Sequence, residues 1–570
     1  MKRYRWKVLE PDRQQVYRLS ESINVSLPVS RALCNRGVTS FDDAKAFFRP
    51  SLSQLSSPFL FRDMERAVNR VFGALQRNEK ILLYGDYDVD GTTGTALLCL
   101  FLRDLGAQVS YYINDRFLEG YGLSAEGVAF AEMSEVRLII TVDCGIRAQE
   151  AIARCRKSGI DVIICDHHEA QELPPAFAIL NPKIPGCTYP FRDLCGCAVA
   201  FRFVQALAER LGCGEESWTR YLDLVALATV ADMVSLEREN RILVKEGLLK
   251  LRYGNRQCFR SMFSLMGVDV DSFGICNIVF GLAPRINAAG RMRSAQLAVE
   301  WLLSASETAA RQTAGELDRL NLMRRQIDAA MFAKADRMVE GHFASYCSSI
   351  VLYDESWHLG VLGIVASKML EKYHLPTVIM GSMKGLVKGS VRGVSGLNVC
   401  GVLQKCSDFL VQFGGHDQAA GITLLPEHLA GFRKRFDGIC SEMLSAECRQ
   451  KELVIDSELR LEEITANFMN VLDQFKPYGY GNREPLFLSA GLTMHGGIRL
   501  LKNRHVKFSL RAANNRLFDV IGFDRPDIYQ AITADPKRRF SIVYSLEKRV
   551  WNSRELWQLK LRDLDVARDT

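Results

Sequence analysis

The sequence predicts an α/β protein with a parallel sheet in its first half, a long connecting helix, a smaller second α/β lobe and a C-terminal β-barrel. Three observations support this fold class. Short apolar runs alternate with helical segments over residues 81–180, residues 306–341 contain no proline and are rich in helix formers, and short strand-like runs follow residue 450. The chain has 570 residues, which at roughly 150 per domain predicts about three or four domains.

The composition is that of a globular chain. Hydrophobic residues make up 48% of the sequence and charged residues 24%, which supports a packed core and excludes wholesale disorder. The charged N-terminus lacks the apolar segment of a signal peptide, and no later run reaches the roughly 18 apolar residues of a membrane helix. We therefore expect a cytoplasmic protein without membrane contact.

Cysteine usage indicates a reducing compartment. The 16 cysteines include no Cys-x-x-Cys pair, so we expect free thiols rather than a disulfide framework. Cys195 and Cys197 are a candidate metal pair, although burial as small apolar side chains is the favoured interpretation.

The net charge of +7 is concentrated at the C-terminal end. Residues 491–570 contain 16 Lys and Arg against 9 Asp and Glu, so this segment carries the whole excess. A basic module of this kind indicates a polyanion partner, and a basic face kept for solubility is the alternative.

Residues 81–180 predict βαβ units, with the strands "ILLYG", "VSYYI", "LIITVD" and "VIICD" separated by helical segments. In such sheets ligands bind beyond the carboxyl ends of the strands. Three strands are followed there by metal-ligand side chains, namely Asp86, Asp88 and Asp90, then Asp143, then Asp166, His167 and His168.

Carboxylates and imidazoles that meet at one sheet edge are ligands for Mn²⁺, Mg²⁺ or Zn²⁺. Asp232, in an apolar helical stretch, is a further candidate. The alternative for each single aspartate is that it caps its own turn or helix, and for Asp232 that it is an N-cap or an ion-pair partner. A cluster of acids without a cation would repel itself, so metal binding explains the set better.

In this order and spacing, "GDYDVDG", "TVDCG", "CDHH" and "ATVADMV" resemble the four metal-binding motifs of the DHH phosphoesterase superfamily. Over nearly the whole chain, "NDRFLEGYGLS", "PRINAAGRM", "WHLGVLGIVASKM", "FGGHDQAAG" and "PYGYGNREPLF" are similar to segments of its RecJ family. The resemblance implies a DHH catalytic domain, a DHH-associated domain and an OB-like barrel that binds single strands.

The resemblance also implies a site with two divalent metal ions, Mn²⁺ or Mg²⁺. Asp143 would bridge the ions and take part in catalysis, Asp88 would bind the first ion, and the second ion would be bound by Asp90, His167 and Asp232. His168 would contact the phosphate or assist proton transfer. The usual histidine four residues before Asp88 is Tyr84 here, so the first ion either binds more weakly or takes a substitute ligand such as Asp86. Two such ions clamp a phosphodiester and activate a water.

Further site residues are implied by the same resemblance. It gives Arg285 and His416 catalytic roles and makes Gly414, Gly415 and His416 substrate-binding residues of the DHH-associated domain, which closes over substrate. Glycine-rich turns suit the close approach of a phosphate backbone. The alternative for the two glycines is that they are plain turn residues.

A 5′-phosphate pocket is expected from Arg392, Ser390 and Arg116, because a guanidinium can bind two phosphate oxygens at once. The alternative is that Arg392 is an exposed charge at a strand end. The serine that usually follows the arginine is Gly393 here. Tyr121 is expected to stack on the first nucleotide or to wall it off.

Beyond residue 450 the short strands predict the OB-like barrel. The candidates for base stacking are Trp551, Phe508, Phe518 and Phe523. All four are more typical of barrel core, and Trp551 has the least core-like pattern. Arg549 stands where the family usually has an asparagine, which affects the detail of base stacking and not the fold.

The expected domains are an N-terminal helical extension (1–75), the DHH domain (76–305), the connecting helix (306–345), the DHH-associated domain (346–447) and the OB-like domain (448–570). The expected activity is single-strand-specific 5′ to 3′ DNA exonuclease action in recombination and repair, with release of 5′-mononucleotides. Single-stranded DNA, a single-strand-binding protein and a helicase are the expected partners of a monomer. The alternatives are another DHH-type enzyme (oligoribonucleotidase, cyclic-dinucleotide phosphodiesterase or pyrophosphatase) and a non-catalytic replication-factor relative.

Overall fold

The computed structural model describes residues 4–341, 348–444, 450–535, 539–551 and 554–566, with backbone alone at 549–551, 554–556 and 566. Internal contacts divide the chain into two compact units. We call residues 38–322 with 473–484 the parallel-sheet unit, and residues 1–37, 323–472 and 485–570 the mixed-sheet unit.

Strands are numbered in chain order. They are β1 (Arg5–Val8), β2 (Ile81–Gly85), β3 (Val109–Ile113), β4 (Leu138–Val142), β5 (Asp161–Cys165), β6 (Ala178–Leu180), β7 (Ile350–Tyr353), β8 (Thr377–Met383), β9 (Leu386–Arg392), β10 (Gln412–His416), β11 (Ala419–Leu424), β12 (Glu452–Ile455), β13 (Ser457–Glu458), β14 (Phe487–Leu492), β15 (Met494–Leu501), β16 (His505–Arg511), β17 (Leu517–Gly522), β18 (Phe540–Trp551) and β19 (Arg554–Val566).

Helices are numbered in the same way. They are α1 (Arg13–Ile23), α2 (Leu27–Cys34), α3 (Phe41–Phe48), α4 (Met64–Gln76), α5 (Val89–Asp104), α6 (Ala125–Met133), α7 (Gln149–Lys157), α8 (Gly196–Arg210), α9 (Glu216–Thr219), α10 (Leu222–Ala231), α11 (Arg238–Tyr253), α12 (Gln257–Met266), α13 (Ile275–Asn277), α14 (Ala283–Met292), α15 (Gln296–Leu302), α16 (Glu307–Glu340), α17 (Leu362–Tyr373), α18 (Val399–Gln404), α19 (Leu429–Met443), α20 (Ala466–Asp473) and α21 (Pro526–Ala534).

The parallel-sheet unit contains a five-stranded sheet in the order β3-β2-β4-β5-β6, with every pair parallel. All residues of β2 and β4 are buried, as expected of strands covered on both faces. In the register, Gly85 of β2 pairs with Val142 of β4, which pairs with Cys165 of β5. The three strands therefore end side by side, which confirms the predicted parallel sheet and brings the residues that follow them to one edge.

The mixed-sheet unit contains a five-stranded sheet in the order β10-β11-β9-β8-β7, where only β7 and β8 pair in parallel. Helix α17 packs against β8 and β9. The predicted long helix is α16, whose residues Glu307–Glu340 run from the parallel-sheet unit into the mixed-sheet unit.

The C-terminal strands form a seven-stranded sheet in the order β13-β14-β18-β19-β17-β16-β15. Most pairs are antiparallel, as predicted for the barrel. Phe508 and Phe518 are buried in its core, as the sequence indicated, whereas Phe523 is exposed. Among the described residues, no helix combines the length and the apolar composition needed to cross a membrane.

Candidate metal centre and phosphate-binding residues

The predicted strand-end residues do come together. Three sets of side chains have potential ligand atoms within 4.8 Å of one another. We call their members together the metal centre; the sets are Asp86, Asp88 and Asp143, then Asp90, His167 and Asp232, then Asp143, His167 and His168. All five ligands implied by the family resemblance are included, and Asp143 and His167 are shared between sets.

Asp88 and Asp90 are fixed by helix N-termini. Asp88 caps α5, and its Oδ1 accepts hydrogen bonds from the backbone N–H of Asp90 at 2.8 Å and of Gly91 at 3.1 Å. The carboxylate of Asp90 accepts from the first residues of α8, Gly196 at 2.5 Å and Cys197 at 2.8 Å. The capping alternative and the metal role are thus compatible, because each capped carboxylate still belongs to a ligand set.

The start of α8 lies very close to Asp143. A Cβ atom on Gly196 would lie 2.6 Å from the Cβ of Asp143, so only glycine fits there. The flanking Cys195 and Cys197 are free and buried, which confirms the interpretation of this pair as small apolar side chains.

Asp143 occupies the middle of the metal centre. Its backbone is left-handed, with φ at 60°, which is unusual for a residue other than glycine and is found where surrounding structure enforces it. Its Oδ1 lies 3.2 Å from Nε2 of His167 and 3.8 Å from Nδ1 of His168. This buried oxygen accepts no hydrogen bond from the described residues, and neither does Oδ1 of Asp86.

His168 is held by two polar groups. Its Nδ1 lies 2.8 Å from Oδ1 of Asp166 and 2.9 Å from the hydroxyl of Tyr121, which donates to the carbonyl of Asp143 at 2.9 Å. Although burial acts to raise it, the pKa of Asp166 falls to about 2, because the side chain of His168 donates to it and both histidines lie near. Asp166 is therefore an anion that orients His168, a role the sequence analysis missed although its position before the histidine pair was the available signal.

The electrostatics of the metal centre disfavour several ionised carboxylates without a cation. Burial, and then the neighbouring Asp88, raise the pKa of Asp90 to about 6. Burial and nearby carboxylates also raise the pKa of Asp86, of Asp143 and of Asp232. Burial, followed by the neighbouring His168, lowers the pKa of His167 to about 3, so this imidazole is neutral and able to coordinate a cation. Buried carboxylates with unsatisfied oxygens beside a neutral imidazole fit divalent cations.

Tyr84 does not replace the missing histidine as a ligand. It is buried, its hydroxyl donates to the carbonyl of Gly122 at 3.1 Å, and its ring stacks on Tyr112. Asp86, by contrast, belongs to the same ligand set as Asp88. The geometry therefore favours Asp86 as the substitute that the sequence suggested.

Two predicted site residues of the parallel-sheet unit contact other groups of that unit. The guanidinium of Arg116 lies 4.6 Å from the ring centroid of Tyr87. Arg285 donates to Asp318 at 2.8 Å and to the carbonyl of Gly281 at 2.9 Å. The catalytic role of Arg285 stays a prediction.

The mixed-sheet unit holds a second group of phosphate-binding candidates, which we call the Arg392 cluster: Arg392, Ser390, Ser367 and Gly363. Arg392 donates to the hydroxyl of Ser390 at 2.9 Å and to that of Ser367 at 3.1 Å. A Cβ on Gly363 would lie 2.7 Å from Nη2 of Arg392, so this glycine leaves room for the guanidinium beside the first turn of α17. Ser367 and Gly363 were missed from the sequence, because their contact with β9 is not local.

The remaining candidates are three residues on the edge strand of the mixed-sheet unit and Trp551 of the barrel. Gly414, Gly415 and His416 are exposed on the edge strand β10. A side chain on Gly415 would collide with Ala419 of the paired strand, so the glycine is required by the hairpin. The side chain of Trp551 lies outside the described residues.

Comparison with protein families gives three matches along the chain. Residues 80–229 match the DHH family N-terminal domain, residues 344–442 the DHHA1 domain and residues 455–563 the RecJ OB domain. The chain is 36% identical to the single-stranded-DNA-specific exonuclease RecJ of Bacillus subtilis over 567 residues, which cover 99% of this chain and 71% of that protein. It is 32% identical to the same-named protein of Thermus thermophilus over 511 residues, 89% of this chain and 72% of that protein.

Solved structures agree with these matches. The crystal structure of RecJ in complex with Mn²⁺ from Thermus thermophilus superposes with a TM-score of 0.84 at 29% identity, covering 99% of this chain and 80% of that chain. Its complex with Mg²⁺ gives a TM-score of 0.78 at 28% identity and covers 99% and 78%. Taken with the metal centre and the three domain matches, this similarity shows that the chain belongs to the RecJ family.

Proposed function

We propose that this chain is a metal-dependent, single-strand-specific DNA exonuclease that acts from 5′ to 3′ and releases 5′-mononucleotides. The observation that carries the proposal is the metal centre: carboxylates from the ends of β2 and β4, joined by Asp232 and by two histidines from the end of β5, in a chain of the RecJ family. The relatives are named as single-stranded-DNA-specific exonucleases, and two of the solved structures contain Mn²⁺ or Mg²⁺.

The cofactors follow from the ligand sets. Asp86, Asp88 and Asp143 would hold one divalent cation, and Asp90, His167, Asp232 and Asp143 the other. Mn²⁺ or Mg²⁺ bound there would supply an activated water and stabilise the leaving oxygen of a phosphodiester. The protein contributes positioning, because the N-termini of α5 and α8 fix Asp88 and Asp90 before any ligand arrives.

We assign His168 a contact with the substrate rather than coordination of a cation. Asp166 and Tyr121 hold its Nδ1, so the ring has a fixed orientation at the rim of the metal centre. From there it contacts the phosphate or passes a proton, whereas the neutral His167 serves as a ligand. Tyr121 keeps its predicted role beside the first nucleotide, with its hydroxyl already committed to Asp143 and His168.

Recognition of the 5′ end, which sets the 5′ to 3′ direction of digestion, is assigned to the Arg392 cluster. Arg392 and Ser390 offer donors suited to a terminal phosphate. Arg116 of the parallel-sheet unit keeps its predicted role as a phosphate contact. With the 5′-phosphate anchored, hydrolysis of the next phosphodiester gives a 5′-mononucleotide. Gly414, Gly415 and His416, and Trp551 of the barrel, remain candidates for contacts farther along the strand.

The C-terminal barrel is proposed to bind single-stranded DNA through its basic excess. Action in recombination and repair, a monomeric state and cooperation with a single-strand-binding protein and a helicase are further parts of the proposal, taken from the family resemblance. A cytoplasmic location is also part of it and is supported by the cysteine usage.

The test is digestion of matched single-stranded and double-stranded DNA, labelled at the 5′ or the 3′ end, with Mn²⁺, Mg²⁺ or chelator. We expect metal-dependent release of labelled mononucleotide from the 5′-labelled single strand at the earliest times, and gradual shortening of the 3′-labelled strand. Early release from the 3′ end, or equal degradation of the duplex, would contradict the proposal.

A further inference from the structure

We propose that the aromatic ring of Tyr480 stacks on a base of the single strand near the metal centre and thereby positions the strand for cleavage. This inference rests on the proposed function. Tyr480 belongs to residues 473–484, which we call the return segment, since it packs in the parallel-sheet unit although the chain on either side of it belongs to the mixed-sheet unit.

The return segment is held by a buried arginine. Arg241 of α11 is only 2% exposed, and its guanidinium donates to the carbonyls of Gln474, Phe475 and Lys476 at 2.9, 3.0 and 3.0 Å. Asn482, also buried, donates to the carbonyl of Phe475 at 2.7 Å. A loop whose carbonyls are satisfied in this way is ordered before it meets a ligand, so a side chain on it loses little further entropy on binding.

The return segment reaches the chain that follows the metal ligand Asp232. The backbone N–H of Leu236 donates to the carbonyl of Tyr480 at 2.7 Å. A side chain on Gly481 would collide with Ser235, so the two chains are in close contact. Four residue steps of at most about 3.6 Å separate Leu236 from Asp232, which places the backbone of Tyr480 within about 20 Å of the metal centre. This distance is spanned by a few nucleotides of single strand.

The ring of Tyr480 is available to a ligand. It is 66% exposed, and its hydroxyl makes no hydrogen bond within the part of the chain that the structure describes. Met233, directly after Asp232, is equally exposed and has a left-handed backbone, with φ at 60°. The exposed ring of Tyr480, on its ordered loop, is a surface on which any base can stack, because every base has a π-face.

The variants that test this role are Tyr480→Ala and Tyr480→Phe, with Tyr253→Ala as the matched control. Tyr253 is a similarly exposed tyrosine of the same unit, at the far end of α11 from Arg241. The full-length proteins are titrated, in chelator, against a labelled single strand and against a series in which one abasic residue is moved along that strand. Turnover of the intact strand is then measured with Mn²⁺.

We expect Tyr480→Ala to bind the intact strand about tenfold more weakly, with Tyr480→Phe and Tyr253→Ala close to wild type. At one position of the series the abasic residue should weaken the wild type by the same factor and leave Tyr480→Ala unaffected. The inference is overturned if Tyr480→Ala binds as the wild type does, or if its defect persists at every abasic position.

The two proposals fail in distinguishable ways. A wild type that releases no nucleotide from single strands with Mn²⁺ refutes the proposed function. A wild type and a Tyr480→Ala variant that degrade the strand with the same KM and kcat refute only the stacking role.

Discussion

The metal centre of the parallel-sheet unit and the Arg392 cluster of the mixed-sheet unit both offer polar groups to a phosphodiester, but they are built differently. In the metal centre Asp86, Asp90 and Asp143 are buried, and burial together with neighbouring carboxylates raises the pKa of each. Oδ1 of Asp86 and of Asp143 accept no hydrogen bond from described residues. In the Arg392 cluster the guanidinium is only half-buried and already donates to two hydroxyls.

This difference predicts how strongly each site depends on its ligand. A buried cluster of like charges is costly without a cation, so its function and its stability should both respond to metal. A satisfied and partly solvated arginine needs no ligand to be stable, so its loss should affect affinity and end preference alone.

The largest effect is expected for Asp143→Ala, because Asp143 is common to two ligand sets. Hydrolysis of single strands should fall by about 10³-fold or more. Binding of the same strand in chelator should stay within a few-fold of wild type, since most of the binding surface lies elsewhere. Turnover close to normal in this variant would refute the assignment of Asp143.

Asp86→Asn should separate stability from function. The folded-state pKa of Asp86 is raised, so its ionised form is disfavoured in the folded state at neutral pH. Without metal, the neutral asparagine should therefore raise the melting temperature, by about 2 °C per kcal/mol gained. With Mn²⁺ it should increase the metal concentration needed for half-maximal activity by about tenfold. Unchanged metal dependence would exclude Asp86 as the substitute for the histidine replaced by Tyr84.

The strands of the parallel sheet, the residues at their ends and the long helix were largely predictable from the sequence. The apolar runs predicted β2, β4 and β5. Because a parallel sheet aligns the ends of its strands, they also predicted the edge at which Asp86, Asp143 and the histidine pair meet. Helix α16 was predictable because helix propensity is a local property of the sequence.

The long-range contacts were not predictable. The N-terminus of α8 binds Asp90 across more than a hundred residues, Tyr121 donates to the carbonyl of Asp143, and the return segment packs beside Ser235 and Leu236. No period or spacing in the sequence encodes such contacts. The left-handed backbone of Asp143 likewise appears only once the surrounding structure is assembled.

Arg392→Ala should have an intermediate effect. A charge-assisted contact with a terminal phosphate is worth roughly 1.5 to 3 kcal/mol, so the wild type should prefer 5′-phosphate over 5′-hydroxyl strands by about tenfold or more. The variant should lose most of this preference, and Arg433→Ala, an exposed arginine on α19, should keep it. Rates on matched strands with the two ends give the measurement. A preference that survives in Arg392→Ala would remove this residue from the 5′ site.

The smallest effect is expected in the barrel. Arg499 of β15 is exposed and makes no ion pair with the described residues, whereas Lys507 of β16 is paired with Asp519 at 2.8 Å. Arg499→Ala should lower the slope of log affinity against log salt by about 0.7, the value for one single-strand phosphate. Lys507→Ala should change it less, because its charge is already compensated. Equal slopes for the wild type and Arg499→Ala would exclude this arginine from the strand path.

The central claim, that the acids at the strand ends form a centre for two divalent cations, is tested most directly by calorimetric titration of the metal-free protein with Mn²⁺. We expect two Mn²⁺ per chain for the wild type, and loss of both for Asp143→Ala, because this carboxylate is assigned to both ions. A wild type that binds no Mn²⁺, or an Asp143→Ala variant that still binds two with unchanged affinity, would contradict the account.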